Sequence, residues 1–503
     1  MARKAPARPP VSRNQQGLLS FPNHPPQTVF DIDPRNMSRP SNHLQTLVAH
    51  YLASQYPTVL NPFLEASRIP HPDLEHPPSP DLRTVVEDWM ALQISDQLEK
   101  SRISECVGER EKLERLLRIE LPRGVALSPT ERSLDSISAS SLLTVTVSHV
   151  PKRVFDTSTA SYKASYDLSI ITSSVDKTLK VVDFDTGDVA MILQPHRAAI
   201  LTFTVYPLNP RYILTGSMDG TVVLMDVISR EVLQTFVSAK YVVRVAFSPN
   251  GRFMATASYD RHIVVYEAIS SPLPPPFDDE SIPLDATDDA SLACEPLLRF
   301  AEVHRCKLDS NPEALLFHPD STWLLYTTRS SHVLHYLSLP SDVTQTAPWV
   351  YTNKSFNPHP LDTHVSFAVL NMTLHPSGKI VACQTGDHSG GGGERILLYG
   401  IEPEETERLA CLWTGEEGDD YVLPRMRFLP DGSGIITTTS RGYLNLFTLN
   451  GEKRSSVKIH GVVNAGSASS EVIRDCAIMP AQGEGCHVVS VGYDCRVRFS
   501  KVT

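Results

Sequence analysis

One pattern, written seven times between residue 142 and the C-terminus, restricts this chain more than any other feature. Its clearest copy is Tyr212-Ile-Leu-Thr-Gly-Ser-Met-Asp-Gly-Thr-Val-Val-Leu-Met-Asp226, where two short apolar runs flank a Ser-x-Asp-Gly turn. Asp-Gly between such runs predicts a β-hairpin, because glycine adopts the positive φ that the turn requires. The pattern returns at 174–183 and 258–266, more weakly at 327–336, 383–399 and 437–447, and again at 490–499. In six copies an upstream run ends in a second turn signal: Tyr206-Pro207, Phe247-Ser-Pro-Asn-Gly251, Phe317-His-Pro-Asp320, Leu374-His-Pro-Ser-Gly378, Phe428-Leu-Pro-Asp-Gly432 and Ile478-Met-Pro480. The first copy lacks this signal.

The turn aspartates Asp176, Asp219 and Asp260 stand 43 and 41 residues apart. A repeat of about 40–45 residues holding four short strands predicts a propeller blade. The expected fold is therefore an all-β seven-bladed β-propeller with a small N-terminal α-helical module. The repeats resemble the WD-repeat family over about 360 of the 503 residues. The Trp-Asp pair of that family is replaced here by Val182-Asp183, Met225-Asp226, Tyr266-Glu267 and Phe499-Ser500. The resemblance implies a buried His–Asp hydrogen bond, and His196 stands 23 residues before Asp219, where the family places its histidine. That network is expected in the second blade and lost in most others. His196, Asp176, Asp219, Asp260 and Asp494 are thus read as structural blade residues.

Six copies are followed by one more strand, at 189–193, 232–236, 297–301, 349–352, 409–413 and 455–459. The seventh reaches Thr503 without one. The unassigned run 142–147 is expected to pair with the seventh blade and close the ring, leaving no long unpaired edge. The propeller is accordingly bounded at 142–503.

Ahead of it, residues 1–40 carry six basic residues against two aspartates among many prolines, and are expected to be disordered. Within 41–69, Leu44, Leu47, Val48, Tyr51 and Leu52 fall at helical spacing; Ser54-Gln55 breaks the run, and Leu60, Phe63 and Leu64 follow Pro57. Two helices this short need a partner to cover their apolar stripes. Tyr51-Leu52, Tyr56, Phe63 and Glu65 resemble the LisH motif, with Gln55 where that family has glycine and Glu65 one place early. The resemblance implies a homodimer formed through Leu44, Leu47, Val48, Tyr51, Leu52, Tyr56, Leu60 and Phe63. A hairpin packed on the chain's own propeller is the alternative.

A Pro-rich linker, 70–80, leads to a connecting helix over 81–121 that Asp81 can cap. Leu82, Val85, Trp89 and Leu92 have heptad spacing, but Asp96 and Glu99 end that seam, so a long coiled coil is not expected. Residues 122–141 are Ser/Thr-rich and read as a linker. Inside the repeats, an insertion at 270–296 carries seven acidic residues and a proline cluster, and reads as a surface loop. A Gly-rich loop at 386–394 lacks the Gly-Lys-Ser/Thr ending of a phosphate loop and joins two strands rather than a strand and a helix.

The net charge of −11 argues against nucleic acid as the main partner. No apolar run approaches 18 residues, so no segment is expected to insert into a membrane. Eight scattered cysteines without a Cys-x-x-Cys pair fit reduced thiols and an intracellular location, cytoplasmic or nuclear. No zinc-spaced Cys/His set, His-Glu-x-x-His or Gly-x-Ser-x-Gly motif occurs. No catalytic, metal or cofactor-binding residue is therefore assigned.

Aligning the innermost strands on their turn prolines puts Leu201, Val243, Glu313, Leu370, Pro424 and Arg474 nearest one mouth of the channel, with Lys240, Tyr241 and Arg425 close by. An aromatic anchor with a few charges suits a peptide-binding rim, for which Lys240, Tyr241, Val243, Glu313, Arg425 and Arg474 are the candidates. The expected function is a non-enzymatic scaffold or adaptor, dimerised by the LisH-like module and binding proteins on its propeller face. A channel enzyme and a monomeric propeller braced by its N-terminal helices are the alternatives.

Overall fold

The computed structural model describes residues 40–75, 81–157, 161–270, 283–284, 297–329, 331–340, 349–357, 368–386, 394–416, 422–461, 471–481 and 485–503. The basic tail, most of the acidic insertion and the body of the Gly-rich loop lie outside these residues.

Seven antiparallel sheets form the propeller. Blade 2 shows the plan: Ile200–Val205 innermost, then Tyr212–Ser217, Thr221–Asp226 and Val232–Val237 outermost. The innermost strands of successive blades touch, and that of blade 7, Ile473–Pro480, touches that of blade 1, so the ring closes. Each of the six predicted upstream runs, with its Pro turn, is an innermost strand.

The physics of closure is visible in the core. Seven apolar clusters each sit between two neighbouring blades. Tyr212–Ser217 and Phe253–Ser258 are buried along their whole length, covered on both faces by adjacent sheets. Burying one large apolar side chain contributes about 1.5–3 kcal/mol. A single blade has no second layer to bury against, so stability arises only from the stack.

The closing strand is not the one the sequence suggests. Leu142–Asp156 is the innermost strand of blade 1, paired with Ser161–Ser174 in a hairpin that runs well beyond the blade. The outermost strand of blade 7 is Arg132–Leu134, antiparallel to the final strand Val497–Val502. Upstream of it the chain follows the same edge: Ala126 and Thr503 exchange backbone hydrogen bonds of 2.9 and 3.2 Å, and Ser128 N–H donates to Lys501 O at 2.7 Å. Leu121 and Leu127 are buried between blades 6 and 7. Residues 122–141, read as a linker, are thus largely part of the propeller. The reason is that blade 1 needs an innermost strand of its own, which consumes 142–147 and hands closure to the segment before it.

The chain divides into two compact units, 1–106 and 107–503. In the first, α1 (Pro40–Gln55) and α2 (Pro57–Ser67) form the expected hairpin, with Tyr56 at the N-cap and Pro57 opening the second helix. Ala49, Leu60 and Leu64 form its apolar centre, with Leu52 and Phe63 packed against it. α3 spans Leu82–Leu117 and is capped by Asp81, whose Oδ1 accepts the Thr84 N–H at 2.9 Å. Its last turns belong to the propeller unit: Leu113 is buried among Ile380, Ile396 and Phe428, with Leu116 and Leu117 beside it.

Candidate functional site

The turn aspartates build the face on which the candidate rim lies. Asp219 accepts the Thr221 N–H at 2.9 Å within its own turn, and the Arg197 N–H at 2.8 Å from the loop entering the blade. Asp260 likewise accepts the His262 N–H at 3.0 Å and the Ala239 N–H at 3.1 Å. Asp176 accepts from Thr178 N–H at 3.0 Å and Lys180 Nζ at 2.9 Å. One carboxylate therefore fixes both the turn between the second and third strands and the loop leading to the innermost strand. The residue after it has positive φ in four of these turns, Lys177, Gly220, Arg261 and Cys495, of which only Gly220 adopts it freely.

His196 joins this framework in blade 2. Its ring nitrogens lie 2.8 Å from Thr221 Oγ1 and 2.8 Å from Thr215 Oγ1, with Asp219 at 3.5 Å. A second network, not anticipated, occurs in blade 7. His460 Nδ1 lies 2.8 Å from Asp494 and its Nε2 lies 2.9 Å from Ser490 Oγ. Sequence spacing hid it: His460 stands 34 residues before Asp494 rather than 23. Burial holds both histidines below the usual imidazole value, against the pull of their aspartates.

The candidate rim residues separate into three environments. Lys240 and Tyr241 line a surface cavity of about 450 Å³ with Asp219, Tyr259, Arg261 and Asn311, and Tyr241 is half exposed. Arg261 and Asn311 also line an adjoining groove of about 880 Å³ between blades 3 and 4, with Arg305, Lys307, Arg329, Tyr326 and Tyr351. The two cavities share Arg261 and Asn311 and form one tyrosine-lined depression.

Val243 and Glu313 are buried instead of lying on the rim. Glu313 receives Arg329 Nε at 2.6 Å and the Tyr259 hydroxyl at 3.4 Å. Burial and this carboxylate both raise the Tyr259 pKa. Arg474 lies over the Tyr493 ring, 5.4 Å from its centroid. Arg425 belongs to the third environment, the central channel.

A β-bulge explains the misplacement. Six innermost strands carry a register shift near their start, at Leu143, Leu201, Val243, Glu313, Leu370 and Arg474. Five of these are the very residues that alignment on the turn prolines selects. An inserted residue turns the chain so that its successor takes the inward position. The channel cavity, about 200 Å³, is accordingly lined by Thr144, Thr202, Arg244, Ala314, Asn371, Arg425 and Asp475, one from each blade, with Arg427 below Arg425 in sequence. The inward position is displaced by one residue in each of the six aligned blades, including blade 6, where Arg425 replaces Pro424 although the innermost strand there pairs without a register shift.

The channel is cationic. Asp475 accepts Arg427 Nη2 at 3.2 Å and the backbone N–H groups of Val145 and Cys476 at 3.2 and 3.0 Å, with Arg425 Nε at 3.7 Å. Burial and the neighbouring Arg244 together push the Arg425 pKa well below the ordinary guanidinium value. Among the described residues no group of three or more His, Cys, Asp or Glu is placed to hold a metal ion.

Residues 187–226 and 230–267 match the family described as WD domain, G-beta repeat. Each matched stretch takes in the outermost strand of one blade and ends on the third strand of the next. That offset is what leaves blade 7 short of an outermost strand until Arg132–Leu134 supplies it. Protein tipD of Dictyostelium discoideum is 29% identical over 100 residues, 19% of this chain and 16% of that protein. A guanine nucleotide-binding protein subunit beta-like protein of Encephalitozoon cuniculi is 34% identical over 83 residues, 16% of this chain and 25% of that protein. The chain thus covers a quarter or less of the length of these relatives. The fold is a seven-bladed β-propeller carrying WD40 repeats.

Proposed function

We propose that this chain is a non-enzymatic protein-interaction scaffold whose docking surface is the turn-bearing face of blades 2 to 4. The observation that carries this reading is the depression lined by Lys240, Tyr241, Tyr259, Arg261 and Asn311 and continuous with the groove between blades 3 and 4. Its loops are fixed by Asp219 and Asp260, so a partner meets a surface that is already ordered. Tyrosine and arginine are the side chains that most often anchor such contacts. Lys240, Arg261 and Lys307 along its walls suit an acidic segment of the partner, while Arg305 and Arg329 are already paired with Glu302 and Glu313.

The α1–α2 hairpin is read as a pairing module. Leu44, Tyr56 and Val59 are exposed on it, while Leu47 and Leu60 are buried. Pairing would present two propeller faces together and raise avidity without new contacts. An intracellular setting, cytoplasmic or nuclear, fits the six described cysteines, all of them free thiols.

Photo-crosslinking tests the docking face. A crosslinking residue placed at Tyr241 should capture a partner protein that the same residue at Asn250, an exposed position at the opposite end of the innermost strand of blade 3, does not. Equal capture from both positions, or none from Tyr241, would remove this face as the docking surface.

A further inference from the structure

We propose that the central channel is a binding site for a phosphate-class oxyanion, held by Arg244 of blade 3 and by Arg425 and Arg427 of blade 6. These blades are three steps apart round a seven-membered ring, so the guanidinium groups approach the cavity from across the channel.

The charge balance is the first argument. Three arginines line the cavity against one carboxylate, Asp475. The next charges outward do not redress this. Arg474 adds another cation within electrostatic reach, and Glu313, the carboxylate that acts on Arg244, is shared with Arg329 at 2.6 Å. The chain as a whole carries −11, so this concentration of positive charge is local to the channel.

Hydrogen-bond capacity is the second. A guanidinium has five N–H donors. Arg244 gives one to Val243 O at 3.0 Å and one to Leu370 O at 3.3 Å. Arg425 donates to Pro424 O at 3.4 Å, and Arg427 to Met426 O at 2.9 Å and Asp475 at 3.2 Å. These acceptors engage a minority of the donors the three groups carry. Arg425 is 7% exposed and Asp475 4%, so two of the charged groups are buried in the channel wall, while Arg427 reaches solvent at its mouth.

Geometry selects the ligand class. A carboxylate offers two oxygens in one plane and suits a single guanidinium fork, whereas a phosphate presents oxygens in several directions and suits forks arriving from two sides. At ~30 Å³ per water, the cavity has the room of about six or seven waters, enough for one phosphate group and its nearest solvent. The phosphate is either a free anion or one borne on a peptide. This site does not depend on the docking face proposed above, and its test uses no partner protein.

Calorimetric titration of the full chain at constant ionic strength, with inorganic phosphate in one arm and a phosphoserine peptide with neutral flanks in the other, decides the matter. Saturable one-to-one binding is expected, weakened at least tenfold by Arg425→Gln and by Arg427→Gln and unchanged by Lys453→Gln on the outermost strand of blade 6. Tighter binding of the peptide assigns the phosphate to a docked segment, and tighter binding of the inorganic ion assigns it to a free anion. Should Arg425→Gln fail to fold, Arg427, which is one-third exposed, carries the test. No saturable binding of either probe, or binding indifferent to both channel substitutions, overturns the proposal.

Discussion

At the scale of single residues, the blade turns repeat one device with unequal backbone comfort. The position after the turn aspartate has positive φ at Lys177, Arg261 and Cys495 as well as at Gly220. A non-glycine residue there costs about 1–2 kcal/mol, part of which a glycine returns as extra freedom of the unfolded chain. Lys177 is exposed, and Lys177→Gly is expected to raise unfolding stability by about 0.5–1 kcal/mol, read as a shift of the urea midpoint. The histidine networks set a pH dependence. His460 and His196 have lowered pKa values in the folded state, so the unfolded chain binds more protons below its own imidazole value of ~6.5. Their contribution is complete above that pH and is lost as pH falls toward the folded values. Asp494 is opposed by burial but lowered by His460 and Arg498, so its contribution is complete above ~3.9 and lost below. Urea midpoints should therefore fall in two stages, between pH 7 and 5 and again below 4. His460→Gln should lessen the first stage, and an undiminished drop would remove His460 as its source.

At the scale of elements, two segments that carry no strand signal hold the ring together. Residues 126–134 follow the edge of the final strand, and the last turns of α3 cover the seam between blades 5 and 6. A residue in a true linker changes stability by less than about 0.5 kcal/mol when shortened. Leu127→Ala and Leu113→Ala remove buried side chains, and each is expected to cost about 2–4 kcal/mol in denaturant unfolding. The same scale contains the β-bulges. Because side chains alternate with period two, one inserted residue exchanges the inward and outward sets. That exchange puts Arg244 and Asp475 into the channel in place of Val243 and Arg474.

At the scale of the whole molecule, the question is how many propellers act together. A chain beginning at Val107 retains the entire propeller unit, including the turns that carry Leu113 and the closing strand. A start near Ser133 would cut into Arg132–Leu134 and confuse loss of closure with loss of pairing. Solution mass is expected to show a dimer for the full chain and a folded monomer from Val107. Monomers in both cases would dismiss the pairing role of α1 and α2 and leave the docking face intact.

The hydrophobic alternation, the turn residues and their spacing determined the seven blades, the six Pro-ended innermost strands, and the hairpin with its break before Pro57, because these are local properties that period and turn chemistry dictate. Tertiary structure alone decided three other matters. Arg132–Leu134 is a strand only because the last blade offers it an unpaired edge, and three residues reading Arg-Ser-Leu have no alternation to announce it. The His460–Asp494 pair is defined by distance in space, which a wider spacing in sequence conceals. In five of the six aligned blades the channel residue was displaced by one position by a bulge, which is a property of how two strands pair and not of either strand's composition. Which charges face one another at the centre of the ring is therefore written in the register between strands, where no single stretch of sequence records it.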